Sequence, residues 1–260
     1  MNLKINLNEF TEFANFLADE SGKVVMKYFR NDFSVESKID NSPVTIADKN
    51  TELKLRNLIS EKYPEHGILA EEFESKNTSS DYLWVLDPID GTRSFIAGHK
   101  DFGTLIALLY KNDPIIGIID CPAHNERWLG VKNLNSKLNQ KKIQTSQKKL
   151  IEDCYIMTSG LYFEDQDFKN NFDKLRKKTK YCKFGGDCYM YGMLASGLID
   201  VVVEDTLKIH DYMALLPVIK GAGGVITDKF GKDISFNSDG SLVASCSQSI
   251  HNQVIQILNS

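Results

Sequence analysis

The chain has 260 residues, of which 42% are hydrophobic, so it can bury a large core as one unit or as two closely joined halves. Its formal net charge of −4 argues against a general nucleic-acid binder or a protein of the membrane surface. No stretch approaches 18 uninterrupted apolar residues, and the N-terminal segment lacks the features of a secretion signal, which predicts a protein without a membrane span.

Helices and strands are predicted to interleave in the first half. Apolar residues recur at helical spacing over 8–29, and a polar loop over 34–44 separates this helix from a second one over about 47–63. Short strands are then predicted at 68–70, 83–86, 103–110, 115–121 and 127–131. The polar, lysine-rich segment 132–149 is the predicted boundary between an N-terminal portion, 1–145, and a C-terminal portion, 146–260.

The second half continues the alternation. Strands are predicted near 153–157, 181–184, 199–204, 224–227 and 242–246, and helices over 165–178, 187–197, 210–222 and after residue 248. There is no internal repeat. Interleaved helices and strands throughout the chain predict a layered α/β (α+β) architecture.

The segment 84–92 (WVLDPIDGT) is the most informative stretch of the sequence. An apolar strand stops at Asp87 and Asp90, two carboxylates that are three residues apart, and Pro88 stiffens the turn between them. Mg²⁺ prefers such oxygen ligands. Gly91 permits a close backbone approach, and Thr92 adds a hydroxyl group and a helix start. Considered alone, the segment is equally compatible with a solvated turn.

Further acids stand at the ends of predicted elements. Glu71 and Glu72 follow a strand, where a solvated turn is the simpler interpretation, and Asp48 and Asp211 stand near helix starts, where an Asp is a good cap. Each of these positions is a weak signal by itself.

Cysteines and histidines point to no separate site. The five cysteines have no CxxC spacing, which favours reduced thiols in a cytoplasm, and Cys188 is interpreted as a small buried residue rather than a nucleophile. The five histidines show no HExxH or i,i+4 spacing, so a histidine metal site is not expected.

The order of these motifs resembles that of the inositol monophosphatase family, the Mg²⁺-dependent phosphatases that include fructose-1,6-bisphosphatase. A Glu-Glu pair after a strand, Asp-Pro-Ile-Asp-Gly-Thr, and His-Asp before a helix ending in Ala-Gly-Gly occur in that order, and the resemblance covers nearly the whole chain. It implies one phosphatase unit over 1–260, an α-β-α-β-α sandwich with a metal-binding N-terminal portion and a substrate-binding C-terminal portion.

The resemblance also implies the roles of the acids. Glu71, Asp87 and the carbonyl of Ile89 would hold one Mg²⁺, and Asp87, Asp90 and Asp211 a second, with two or three ions per active site. The catalytic residues would be Glu71, Thr92 and Asp48: Glu71 and Thr92 would activate the attacking water, with Thr92 oriented by Asp48. The start of a helix at Gly91 and Thr92 would let backbone N–H groups face the phosphate.

Within the family, the chain looks most like the histidinol-phosphate phosphatases, in segments 90–98, 102–106, 126–128, 185–189 and 203–204. Residues implied to bind substrate are Asp90, Gly91, Thr92, Gly186, Asp187, Glu204 and Asp211. Asp187 is the discriminating residue, because a further acid suits a cationic alcohol, although it could equally cap a helix. Arg93 could contact phosphate or pair with an acid across a dimer interface. His210 departs from both groups, and inositol phosphatases usually have Trp there.

The sequence thus predicts a cytoplasmic, Mg²⁺-dependent phosphomonoesterase acting on a small phosphorylated metabolite, most simply L-histidinol phosphate in histidine biosynthesis. The alternatives are an inositol-1-monophosphatase, a broad sugar or nucleotide phosphatase, or, more remotely, a non-catalytic regulatory relative. The resemblance also suggests a homodimer, with neither nucleic acid nor a membrane as partner.

Overall fold

In the computed structural model, which describes residues 6–32, 34–37, 43–161 and 163–260, helices form three layers around two main β-sheets. The α-helices are α1 (Leu7–Tyr28), α2 (Ile46–Lys62), α3 (Thr92–Ile96), α4 (Gln166–Lys178), α5 (Asp187–Ala195), α6 (Ile209–Tyr212), α7 (Leu215–Gly221) and α8 (Gln248–Leu258). A two-stranded ribbon joins β1 (Val35–Ser37) to β2 (Pro43–Thr45).

The larger sheet has seven strands, which are neighbours in chain order. They are β3 (Gly67–Ala70), β4 (Tyr82–Asp90), β5 (Gly103–Tyr110), β6 (Asp113–Cys121), β7 (Glu126–Val131), β8 (Lys137–Leu138) and β9 (Lys141–Lys142). Only β3 and β4 run parallel among these described neighbours. The carboxyl ends of these two strands therefore meet at one edge of the sheet.

The smaller sheet has five strands in the order β11, β10, β12, β14, β13. They are β10 (Tyr155–Thr158), β11 (Tyr181–Phe184), β12 (Val201–Glu204), β13 (Val225–Thr227) and β14 (Leu242–Ser245). Strand β10 runs parallel to both β11 and β12, whereas β14 is antiparallel to its neighbours. This mixed sheet lies in the second half of the chain, as the alternation of elements predicted.

Alternate residues of the strands divide the core into layers, because successive strand side chains point to opposite faces. Trp84 and Leu86 of β4 pack with α1 and α2, whereas Leu83 and Val85 face α5 and α7. The smaller sheet is covered by α5 and α7 on one face and by α4 and α8 on the other. The order of layers is α-β-α-β-α, which confirms the predicted fold class.

The central helices approach the larger sheet very closely at glycine positions. A Cβ atom on Gly117 would lie 2.0 Å from the carbonyl oxygen of Ala214, and one on Gly130 would lie 2.2 Å from the carbonyl carbon of Pro217. Both contacts would be with backbone atoms, which cannot move aside as the end of a flexible side chain could. These two glycines set the depth at which α7 packs on β6 and β7.

The prediction of one continuous helix over 210–222 was wrong. The structure has two helices, α6 and α7, separated at residues 213–214. Pro217 has no N–H group to donate to the carbonyl of Met213, so the hydrogen-bond ladder is interrupted there. The backbone stays in the right-handed region at Met213 and Ala214, so the chain direction changes little.

Two segments predicted to be irregular contain short strands. Residues 35–37 and 43–45 of the predicted loop 34–44 form the ribbon, and residues 38–42 of that loop lie outside the described residues. The polar segment 132–149 contributes β8 and β9 to the sheet edge. The division at residue 145 stays a prediction. In the described part of the chain, no helix combines the length and apolarity that crossing a membrane requires.

Candidate active site

The parallel pair β3 and β4 brings the first two acids together. Ala70 is paired with Leu86, so Glu71 and Asp87 follow at adjacent positions on the two strands. The Asp87 side chain is buried, and its Oδ1 accepts the N–H of Ile89 at 3.0 Å. The strand register alone thus explains why Glu71, the first acid after β3, lies beside the Asp-Pro-Ile-Asp turn.

A β-bulge shapes the next turn and places Asp90. The pairing of β4 with β5 is irregular between Asp87 and Asp90, and the Thr104 hydroxyl donates to the carbonyl of Pro88 at 2.9 Å. Asp90 Oδ2 accepts the backbone N–H of Cys188, at the start of α5, at 2.5 Å. The second acid is therefore fixed by the second half of the chain as well as by its own strand.

Asp211 combines the role of a helix cap with a place in the site. Its Oδ2 accepts the N–H of Lys208 at 2.7 Å, which caps the first turn of α6. One of its ligand atoms also lies within 4.8 Å of ligand atoms of Asp87 and Asp90. Asp211 therefore caps the helix and also lies in the acid cluster, while its functional role stays a prediction.

Two overlapping groups of ligand atoms result. Asp87, Asp90 and Asp211 form one group, and Glu71, Asp87 and His210 form another, with all ligand atoms of a group within 4.8 Å of one another. Ligands about 2.1 Å from an octahedral ion are separated by about 3.0 to 4.2 Å, so both groups fit a divalent cation. The histidine spacing gave no reason to expect His210 here.

The electrostatics of the cluster also fit a cation. Burial, and then the charges of Glu71 and Asp90, raise the pKa of Asp87 well above its ordinary value. Burial, and then Asp187 and Asp211, do the same to the pKa of Asp90. Buried carboxylates that repel one another are stabilised by a bound cation or by protons. The donor set of hard oxygens suits Mg²⁺.

Thr92 lies where the predicted activating residues meet. Its Oγ1 is 3.1 Å from the carbonyl oxygen of Ile89 and 3.4 Å from Asp48 Oδ1. Asp48 is fully buried near the start of α2, and its Oδ2 accepts the N–H of Thr45 at 2.8 Å and the hydroxyl of Thr45 at 2.5 Å. Burial raises the pKa of Asp48. The structure therefore brings Asp48 and Thr92 together.

Glu52 supports the site and was missed by sequence reasoning. This fully buried residue of α2 accepts the N–H of Glu72 at 2.6 Å and that of Phe73 at 3.1 Å, and it pairs with Arg56 at 2.7 Å. It thereby holds the turn that carries Glu71. A charged residue inside an amphipathic helix carries no local signal of such a role.

Asp187 does not cap α5. Gly186 is the N-cap residue, and no side chain caps the start of this helix. Asp187 Oδ2 instead accepts a hydrogen bond from the hydroxyl of Ser94 at 2.6 Å. Asp187 has a φ of +41°, after Gly185 and Gly186 at +89° and +122°. A Cβ on Gly91 would lie 2.9 Å from the Asp187 carboxyl group, so this acid packs directly on the Asp-Gly-Thr turn.

Glu204 ends β12 beside a cavity of about 270 Å³, whose lining also includes Arg93 and Ser159. Its Oε2 accepts the hydroxyl of Tyr191 at 2.7 Å, and its Oε1 accepts the N–H of Ser159 at 3.3 Å. Burial is the main reason that the pKa of Glu204 rises to about 7, and the charge of Asp187 adds to it.

The sequence left the roles of Cys188 and Arg93 open, and the structure shows the surroundings of both residues. Cys188 is buried, and burial raises the pKa of its thiol well above the ordinary value, which favours the small buried residue over a nucleophile. All five cysteines are free, as predicted. Burial is the main cause that raises the pKa of Asp187, and the positive charge of Arg93 in the same chain lies close enough to oppose that rise.

Comparisons with known proteins identify the family of the chain. A sequence profile for the inositol monophosphatase family matches residues 6–260. The chloroplastic bifunctional phosphatase IMPL2 of Arabidopsis thaliana is 43% identical over 97% of this chain and 75% of its own length. A histidinol-phosphatase of Chlorobaculum parvum is 33% identical over 86% of this chain and 87% of its own. The structure of an inositol monophosphatase from Zymomonas mobilis, 36% identical, superposes with a TM-score of 0.89 and covers 99% of this chain and 100% of that one.

Proposed function

The chain belongs to the inositol monophosphatase family, and from that premise we propose that it is a Mg²⁺-dependent enzyme that converts L-histidinol phosphate into L-histidinol and phosphate. That it is a phosphoric monoester hydrolase follows from the family and from its phosphatase relatives. We propose Mg²⁺ as its metal and L-histidinol phosphate as its substrate. We also propose that it works in the cytoplasm, as the cysteine pattern favours, and as a homodimer, as the sequence resemblance suggests.

The acid cluster supports the metal part of the proposal. Mg²⁺ held by Glu71, Asp87, Asp90, Asp211 and the carbonyl of Ile89 would supply charge neutralisation for the phosphate and would acidify a bound water. Asp87 belongs to both groups of ligand atoms, so it would be shared if two ions were bound.

The chain's own residues would then handle the proton and the phosphate. Asp48 and the carbonyl of Ile89 hold the Thr92 hydroxyl in place, so that its oxygen can accept a hydrogen bond from the attacking water while the Glu71 carboxylate takes the proton. The backbone N–H groups at the start of α3 have no partner within the helix and can face the phosphate. No residue of this arrangement needs to form a covalent intermediate.

The buried Glu204 beside its cavity is the observation that carries the choice of substrate. Histidinol has an ammonium and an imidazole group, both of which pair with carboxylates, whereas inositol has only hydroxyl groups. Glu204 and Asp187 are close enough for the charge of one to raise the pKa of the other. A cation bound between them relieves that repulsion. Gly186, with a φ of +122°, directly precedes Asp187 in the chain.

A comparison of two phosphate esters tests the choice. We expect kcat/KM to be higher for L-histidinol phosphate than for inositol 1-phosphate in the presence of Mg²⁺. D187N and E204Q should each lower kcat/KM for histidinol phosphate by about tenfold or more, because each removes a charge-assisted contact, and should change it for inositol 1-phosphate by less than about threefold. The matched control is D113N, an exposed acid paired with Lys132. A tenfold preference for inositol 1-phosphate in the wild type would refute the substrate and leave the chemistry intact.

A further inference from the structure

His210 is a histidine inside a cluster of metal-binding carboxylates. Only 7% of the residue is exposed, and one ring nitrogen belongs to the group with Glu71 and Asp87. Its Nε2 lies 3.4 Å from Asp211 Oδ1, which is longer than a charge-assisted hydrogen bond. The ring therefore lies beside acids of both groups. A close ion pair with Asp211 does not account for its position.

The fold fixes this placement. His210 is in the first turn of α6, directly before Asp211, whose carboxyl group is held by the N–H of Lys208. When that cap directs Asp211 toward Asp87 and Asp90, the preceding side chain is brought to the side where Glu71 lies. The two overlapping groups thus differ chemically, since one offers carboxylates alone and the other offers two carboxylates and an imidazole.

We propose that His210 is a metal ligand in this protein, so that the ion held by Glu71 and Asp87 has a nitrogen donor. This inference rests on the proposed function, because it assigns one more ligand to the same site. Imidazole favours first-row transition metal ions relative to Mg²⁺, which prefers oxygen. The Glu71 side of the site therefore selects Mn²⁺ over Mg²⁺ more strongly than the side formed by Asp90 and Asp211.

Electron spin echo spectroscopy of Mn²⁺ tests this directly, since it detects a nitrogen bonded to the ion independently of turnover. Metal-free full-length protein is loaded with Mn²⁺ and compared with protein labelled with ¹⁵N-histidine. We expect a directly bonded ¹⁴N signal in the wild type, its replacement by ¹⁵N on labelling, and its loss in H210Q. The control is H99Q, which changes an exposed histidine outside both groups and should keep the signal.

Affinities provide the second readout. H210Q should weaken Mn²⁺ binding by about tenfold or more and Mg²⁺ binding by less than about threefold, a difference that a merely structural role would not produce. Bound Mn²⁺ without a histidine nitrogen signal in the wild type overturns the proposal, whether or not the variants fold. If Mg²⁺-stimulated phosphate release then persists, only the role of His210 is lost. If neither cation binds or stimulates, the proposed function falls with it.

Discussion

Replacing Glu204 by Gln should stabilise the metal-free protein at alkaline pH while it impairs the proposed substrate site. In the folded protein the pKa of Glu204 is about 7, against an ordinary value of 4.5, and burial is the main cause. At about 1.4 kcal/mol for each pKa unit, the ionised carboxylate costs the folded state about 3 kcal/mol relative to the unfolded chain.

The sign of the pH dependence follows from linkage. Because the folded state binds this proton more tightly, the stabilising contribution is complete below pH 4.5 and is lost as the pH rises through 7. Gln cannot ionise, so E204Q avoids this loss. Between pH 5 and pH 8, the free energy of unfolding of the wild type should fall relative to that of E204Q by about 2 to 3 kcal/mol.

Urea denaturation of both proteins in the presence of a chelator measures this difference. The value at pH 5 serves as the internal control, because it contains the effect of exchanging a carboxyl for an amide beside Tyr191 and Ser159. A difference that stays constant within about 0.5 kcal/mol from pH 5 to pH 8 would refute the reasoning, because Glu204 would then not be held in a site that disfavours its charge.

Three further predictions concern other parts of the chain. D90N should lower kcat by at least about a thousandfold in a phosphate-release assay without unfolding the protein, because Asn can still accept the N–H of Cys188; near-normal kcat would contradict the metal assignment. G130A should lower the free energy of unfolding by about 3 kcal/mol in urea, since the new Cβ meets the backbone of Pro217, and a loss below about 1 kcal/mol would show that α7 can shift. Burial lowers the pKa of His251 to about 4, so its uncharged state is favoured and stability is lost as the pH falls below 6.5. Relative to H251Q, the free energy of unfolding of the wild type should fall by about 2 kcal/mol between pH 7 and pH 5. Parallel curves of unfolding free energy against pH for the two proteins would contradict this.

The acid cluster was predictable because it depends on short-range features. Glu71 directly follows β3 and Asp87 lies within β4, and the parallel register of these two strands brings them together. Asp48 and Asp211 cap helices, so the local backbone orients them whatever the rest of the fold does. The family pattern then joined positions that lie far apart in the chain, and the layered fold followed from the alternation of elements.

The rest of the site depends on tertiary contacts. Glu52 supports the turn after β3, and Asp187 turns away from its own helix toward Ser94. Both placements follow from packing between elements rather than from local spacing. His210 joins the cluster only because α6 lies against the ends of the strands. The break between α6 and α7 is different, since Pro217 and its missing N–H group are visible in the sequence.

The central claim is that the buried acids hold divalent cations that hydrolyse a phosphate ester. The most direct measurement is phosphate release from L-histidinol phosphate by the wild type with Mg²⁺, after chelation and after Mg²⁺ is restored, beside D87N under the same conditions. We expect activity that disappears on chelation, returns with Mg²⁺, and falls by at least about a thousandfold in folded D87N. Release that is indifferent to chelation, or near-normal turnover by D87N, would contradict the account.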